Sequence, residues 1–325
     1  MAKIFIARKV FREAIEILEQ EHHTIEMNNT DRILPSPELI KRAQGKAGLV
    51  SLLNDKIDSQ VMDELPSLKM ISNIAVGYDN IDIDAATRRG IMVTNTPGIL
   101  TETTADLAFA LLLSAARRIP EADKYIRAGK FKYWQLMQPQ MGIDIYEKTI
   151  GIVGMGAIGQ AVARRAHRGF GMRVIYFSSS SKELPEKEYG AEFVEFDELL
   201  SRSDFISIHV PLTEKTTHMF SSEAFKRMKN NAILINTARG PVVDENALVA
   251  AIKDGQIRGA ALDVFEAEPS VHPELMKMEE NVVLAPHIGS ASVETRLRMT
   301  VTAAKNMVEG LKGNRPPNLV NTEVF

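Results

Sequence analysis

Apolar residues come along this chain in short β-rich runs, each followed by a stretch in which they recur at helical spacing. KIFIA at Lys3 to Ala7 precedes FREAIEILEQ, AGLVSLL near Ala47 precedes SQVMDELP, and KMISNIAV precedes DIDAATRRG. Strand and amphipathic stretch in regular alternation predict a parallel α/β sheet. After Ile91 to Val93, Pro97 and Gly98 break the pattern. A long helix then runs through LAFALLLSAA, with Thr101 or Thr103 able to cap it, and the chain crosses between domains near Asn95 to Gly98. From Lys148 the rhythm restarts: KTIGIVGMGAIGQAVARRA, MRVIYF, DFISIHVP, NAILINTA, GAALDVF and NVVLAPHIG read as a second doubly wound sheet. The closing segment SVETRLRMTVTAAKNMVEGLKG has helical periodicity and is expected to pack on the N-terminal domain.

Composition narrows the function classes. A length of 325 residues suits two domains. With 39 basic against 42 acidic side chains the net charge is -3, so no nucleic-acid partner is expected. Cysteine is absent, which removes disulfides, thiolate catalysis and Cys-ligated metal, and the histidines show no ligand spacing; no metal is expected. The N-terminus reads as no export signal, and the apolar run Leu107 to Ala116 is far shorter than the roughly 20 residues needed to cross a bilayer. These features lead to the expectation of a cytoplasmic protein without a membrane partner.

The chemistry begins with Gly154, Gly156 and Gly159, spaced GxGxxG between a short apolar strand and a helix. The first glycine permits a tight turn and the second close approach of a pyrophosphate. The third lets helix and strand pack together while helix N–H groups face the anion. Where an NAD-binding chain would carry a carboxylate at the end of the next strand, this one has Ser178. Ser179, Ser180, Ser181 and Lys182 follow as donors, so the reading leans to NADP(H). NAD(H) stays open because the run contains no Arg.

Three polar residues fall at or beyond the carboxyl ends of the last strands, where doubly wound sheets bind their ligands. Arg239 offers a planar fork suited to a carboxylate. Of the three side-chain types, histidine is the one whose ordinary value lies near neutrality, so His287 can give a proton to a carbonyl oxygen. Glu268 can hydrogen-bond that imidazole. The other histidines read as structural or surface residues, except that His209 is placed to line the cofactor groove.

With NIAVGYDNID, TETTADLAFALLL, GIVGMGAIGQ, SDFISIHVPLT, NAILINTARGPVVDENAL, ALDVFEAEP and NVVLAPHIGSA, the chain resembles the D-isomer-specific 2-hydroxyacid dehydrogenases over essentially its whole length. Within that family it looks most like the glyoxylate, hydroxypyruvate and 2-ketogluconate reductases. The resemblance implies a flavodoxin-like substrate domain, residues 1–98 and 288–325, split around an inserted Rossmann domain, residues 99–287, and a homodimer whose contact includes the helix after Thr101. It also implies that Arg239, Glu268 and His287 are the catalytic set. The substrate set adds Leu53 and the loop of Ala75, Val76 and Gly77, and the backbone N–H groups of that loop receive the carboxylate. The cofactor set comprises Thr104, Gly154, Met155, Gly156, Ala157, Ile158, Gly159, Ser178, Ser179, Ser180, Lys182, His209, Val210, Pro211, Thr216, Thr237, Ala238, Arg239, Asp263, His287, Gly289 and Ser290.

The expected reaction is NAD(P)H-dependent reduction of a small 2-oxo acid to the D-2-hydroxy acid. Two alternatives stand beside it. An NAD(H)-sensing corepressor-like protein keeps the same residues, but the chain ends soon after the terminal helix with no regulatory tail. A phosphite-type dehydrogenase would carry lysine where Val76 stands. A hydroxypyruvate-reductase loop has tryptophan near the position of Met137, and here Trp134 is the only tryptophan to fill that place.

Overall fold

The computed structural model describes residues 1–325, and the chain divides into two compact units, Met1–Leu100 with Ser290–Phe325, and Thr101–Gly289. The first unit contains strands β1 (Lys3–Ile6), β2 (Thr24–Met27), β3 (Gly48–Ser51), β4 (Met70–Asn73) and β5 (Met92–Thr94). They form one parallel sheet in the order β2-β1-β3-β4-β5, the flavodoxin-like arrangement. Successive side chains point to opposite faces of a strand, which sorts its core. Ile4 and Ile6 pack with Met299, Ala303 and Met307 of the terminal helix Val293–Leu311, while Phe5 and Ala7 pack with Leu39, Val61 and Met62 on the other face. The terminal helix thus belongs to the first unit. It lies so close that a Cβ on Gly48 would stand 2.6 Å from the Met307 sulfur.

The second unit holds β6 (Thr149–Val153), β7 (Arg173–Phe177), β8 (Glu192–Phe193), β9 (Phe205–Ile208), β10 (Ile233–Asn236), β11 (Gly259–Leu262) and β12 (Val282–Leu284). Their order is β12-β11-β10-β9-β6-β7-β8, all parallel, and the strand order reverses between β6 and β9. The reversal makes a crevice at the carboxyl ends, the place where such sheets take a dinucleotide. Helices Thr101–Ala116 and Ala157–Phe170 cover one face with Ile150 and Ile152, and their Phe109 and Phe170 rings stack with centroids 5.3 Å apart. Ile206, Ile208, Leu234 and Leu262 form the core of the opposite face. No helix is long and apolar enough to cross a membrane.

Candidate active site

Because every strand of the second sheet runs the same way, the segments that leave β10, β11 and β12 emerge at one edge. Arg239 follows β10 on a turn held by Asn236, a buried side chain that accepts from the Ala238 N–H at 3.0 Å and donates to the Arg239 carbonyl at 2.9 Å. His287 follows β12 in the left-handed region, at φ 53°, with its N–H donating to the Asp263 carbonyl at 2.9 Å. Asp263, the first residue after β11, accepts from the N–H groups of Ile288 at 2.7 Å and Gly289 at 2.8 Å, so its buried carboxyl clamps the turn that carries the histidine. Thr104 closes the same turn by donating to the Gly289 carbonyl at 3.1 Å.

Glu268 completes the arrangement. One of its oxygens lies 2.8 Å from His287 Nδ1, and the other accepts from the Phe265 N–H at 3.0 Å. Burial alone would push this carboxyl up. The bond and charge of His287, the Phe265 amide and the Arg239 charge outweigh it, so the group lies below its ordinary value and stays ionised. Engaging Nδ1 fixes the ring and leaves Nε2 as the nitrogen that can exchange a proton.

The glycine loop meets each steric demand of a dinucleotide site. Gly154 has φ 99°, and a Cβ there would come within 2.7 Å of the His209 carbonyl. A Cβ on Gly159 would sit 2.1 Å from the Gly154 oxygen, so helix and strand are in contact. At Gly156 a Cβ meets nothing within 4 Å: the protein leaves that space open. The helix Ala157–Phe170 has no side-chain cap, which leaves first-turn N–H groups for an anion. Thr237 Oγ1, at the end of β10, is buried without a protein partner. His209 bonds Ser207 at 2.8 Å, and burial pushes its imidazole down to about 3, so it is neutral. These residues fit the cofactor.

After β7, Ser178 to Lys182 wrap around the Tyr176 hydroxyl, which accepts from the Lys182 N–H at 2.6 Å and donates to Glu186. Lys182 Nζ reaches Ser180 Oγ at 3.0 Å. The loop that would meet the cofactor's ribose therefore has a fixed path with hydroxyls exposed.

In the first unit the carbonyls of Ala75, Val76 and Gly77 are each taken from within, by the Thr96 N–H at 2.8 Å, Asn95 Nδ2 at 2.8 Å and Asn73 Nδ2 at 3.1 Å. None of the three N–H groups donates to a protein acceptor. Consecutive amides with their carbonyls tied back form a concavity for an anion.

Residues 109–289 match the NAD-binding domain of the D-isomer specific 2-hydroxyacid dehydrogenases. A glyoxylate reductase of Korarchaeum cryptofilum (strain OPF8) is 51% identical over 323 residues, 99% of this chain and 96% of the relative. Among solved structures, a Thermus thermophilus protein superposes with a TM-score of 0.92 at 43% identity, covering 98% of this chain and 99% of that one. An NADPH-dependent glyoxylate/hydroxypyruvate reductase from Sinorhizobium meliloti, in complex with NADP and malonate, gives 0.87 at 31% identity, covering 99% and 97%. The chain belongs to the D-2-hydroxyacid dehydrogenase family. It is an NAD(P)-dependent oxidoreductase that takes a nicotinamide dinucleotide.

Within this dehydrogenase, Arg239, Asp263, Glu268, His287, Gly289 and Thr104 stand on neighbouring segments of the second unit, as do the glycine loop, His209, Val210 and the serine run. Thr216, whose hydroxyl donates to the Pro211 carbonyl at 2.7 Å, braces the segment after β9. Leu53, Ala75 to Gly77 and Ser290 belong to the first unit. Trp134 and Met137 fill no pocket of their own chain, being 70% and 71% exposed. Sequence reading passed over the brackets around the dyad: Glu245 and Glu266, and His218, which pairs with Glu266. It also passed over Asn73 and Asn95. A polar residue at or just past a strand end was the one available signal, as in MISN and MVTN.

Gly156→Ala is expected to keep the parent's thermal midpoint yet weaken binding of the reduced nicotinamide dinucleotide by roughly tenfold, about 1.4 kcal/mol, in a fluorescence titration. Gly159→Ala, which must displace backbone, should lower both. The depressed Glu268 value makes its ionised form a source of stability above its ordinary value of 4.5, lost as pH falls through the lower folded-state value. The stability difference between parent and Glu268→Gln should therefore be present above that pH and shrink in acid, as read by melting curves across a pH series.

Proposed function

We propose that this enzyme reduces a small 2-oxo acid, of the glyoxylate, hydroxypyruvate or 2-ketogluconate type, to the D-2-hydroxy acid with NADPH. The observation that carries this reading is the Glu268–His287 contact, an imidazole held at one nitrogen and free to donate from the other. A bound reduced nicotinamide supplies the hydride for the 2-oxo carbon. His287 Nε2 gives its proton to the ketone oxygen as the carbon gains the hydride, and Glu268 stabilises the imidazolium beforehand. Arg239 orients the carboxylate and polarises the ketone oxygen. The open amides of Ala75 to Gly77 hold the substrate's carboxylate. Leu53, in the same unit, adds apolar surface to the substrate set.

The NADPH preference rests on the serine run. Where a carboxylate would repel a 2′-phosphate, Ser178 is neutral, and Ser179, Ser180 and Lys182 are on a loop with donors exposed. NADPH and NADH compared across glyoxylate, hydroxypyruvate, pyruvate, 2-ketogluconate and phenylpyruvate, by absorbance at 340 nm, should give the lower KM with NADPH and rapid turnover of the short oxo acids. A much lower KM for NADH would overturn the cofactor preference. Silence across the panel from protein that binds cofactor would point to a sensing role. In His287→Ala, kcat should fall by about 10²–10⁴ with cofactor affinity kept. Parent turnover there would remove His287 from its role.

The exposed segment 119–141 supports a homodimer. Ile126, Tyr133, Trp134, Leu136 and Met137 are between 56% and 77% exposed, an apolar surface of the kind that marks a protein contact. The helix Thr101–Ala116 lies beside it, with Phe109, Ala110 and Leu113 lining a groove of about 640 Å³. Sedimentation equilibrium should give twice the chain mass, and aspartate at both Leu136 and Met137 should shift it toward one chain.

A further inference from the structure

Two glutamates that the reaction does not use hold each other's backbone beside the Glu268–His287 pair. Glu245 opens the helix Glu245–Lys253, and Glu266 lies on the loop after β11. The Glu266 N–H donates to the Glu245 carboxylate at 2.9 Å, and the Glu245 N–H donates to the Glu266 carboxylate at 3.1 Å. The second Glu266 oxygen is 2.5 Å from His218 Nε2. Glu245 is only 5% exposed. Burial pushes its carboxyl above the ordinary value, with the Glu266 amide and His272 drawing it down and the charges of Glu266 and Glu268 adding to the rise. Burying an acid beside two others is costly, so the arrangement must be held by what surrounds it.

What the arrangement joins is the turn after Arg239 and the loop that carries Glu268. Gly240 already abuts that loop, since a Cβ there would stand 1.9 Å from the Phe265 carbonyl carbon and oxygen. His218 is tied to the same turn through its N–H, which donates to the Pro241 carbonyl at 2.8 Å. On the loop, two adjacent amides have two different acids as acceptors: Phe265 donates to Glu268 and Glu266 donates to Glu245. Losing the second bond would free the peptide whose neighbour orients Glu268.

We propose that Glu245 and Glu266, with His218 as a third arm, are positioning residues that fix the Glu268 loop against the Arg239 turn and so set the contact between Glu268 and His287. This rests on the reading of Glu268 and His287 as the acid–base pair, and the test reads that pair without turnover. Glu268 and Asp263 interact with His287, Arg239 acts on Glu268, and Glu245 interacts with both Glu266 and Glu268.

The experiment is a pH titration of the His287 ring by carbon NMR in the full-length protein labelled at histidine. It compares the parent with Glu268→Gln, Glu245→Ala and Glu245→Gln; kcat and the NADPH Kd are measured alongside. Glu245→Ala should move the His287 midpoint in the same direction as Glu268→Gln, by about half a pH unit, and lower kcat by about tenfold with Kd within about twofold. Glu245→Gln keeps an acceptor for the Glu266 amide without the charge and should restore the parent midpoint. Equal shifts in the two variants would mean that charge acts rather than the bond, and would overturn the bracket. A parent-like midpoint in Glu245→Ala, with Glu268→Gln displaced, would overturn it too while leaving the acid–base pair intact. No displacement in Glu268→Gln would take down the pair and the bracket together. Should Glu245→Ala not fold, His218→Ala releases one Glu266 oxygen from a side chain that is 48% exposed. It should give a smaller shift of the same sign, and a parent-like midpoint there would also overturn the proposal.

Discussion

The 2.8 Å contact between Glu268 and His287, and the action of Arg239 on Glu268, depend on three separate strand ends being held in register. Parallel pairing of β10, β11 and β12 brings those ends to one edge, but pairing only positions the roots of the segments. The rest is done by polar side chains aimed at backbone. Asp263 takes two consecutive N–H groups of the turn after His287, Asn236 takes both ends of the turn before Arg239, and Glu268 takes the Phe265 amide. Each segment is irregular, so its amides have no ladder partners, and an unpaired buried amide would cost about 1–3 kcal/mol. The side chains that satisfy them also determine where Arg239, Glu268 and His287 point.

The penalty of this construction is electrostatic. Asp263, Glu245, Glu266 and Glu268 lie close together, with His287 and Arg239 acting on Glu268, His218 bonded to Glu266 and His272 acting on Glu245. Burial pushes the carboxyls of Asp263 and Glu245 up, while Glu268, with His287 and Arg239 at hand, ends below its ordinary value. Environment thus separates chemically similar carboxyls: one kept ionised against the histidine, the others engaged by backbone. The carboxylate site proposed for the first unit is built by different means. Its loop from Ala75 to Gly77 offers amides rather than a cation, with Asn73, Asn95 and the Thr96 N–H turning the carbonyls away.

How much of this was legible in the sequence follows from what each element depends on. Strands such as Ile233–Asn236 and Phe205–Ile208 are buried on both faces, so their apolar runs stand out. Thr24–Met27 is an edge strand with a half-exposed pattern and an ion-paired Glu26, and Glu192–Phe193 is two exposed residues long; neither shows a period. Gly154, Gly156 and Gly159 are readable because their spacing is itself the steric requirement, and Arg239, Glu268 and His287 because each follows a strand. Glu245 and Glu266 are 21 residues apart, and only the folded backbone brings each acid to the other's amide. The same holds for Asn73, whose partner carbonyl lies four residues away on a loop with no periodic signal.

The loop after β7 shows why a missing residue can be as informative as a present one. A carboxylate at Ser178 would act through its charge on whatever ribose is bound, and its absence removes that repulsion without itself creating affinity. Affinity requires donors in fixed places. Tyr176, buried beneath the loop, supplies the anchor: its hydroxyl accepts from the Lys182 N–H and donates a hydrogen bond to Glu186, and burial followed by Glu186 pushes the phenol up to about 12, so it stays a neutral donor. With the path of the loop set from below, part of the entropy of ordering Ser179, Ser180 and Lys182 is lost before any ligand arrives. The proposed preference for NADPH rests on this: of the two ligands, only a phosphate has the oxygens to accept from several of these hydroxyls and the ammonium at once.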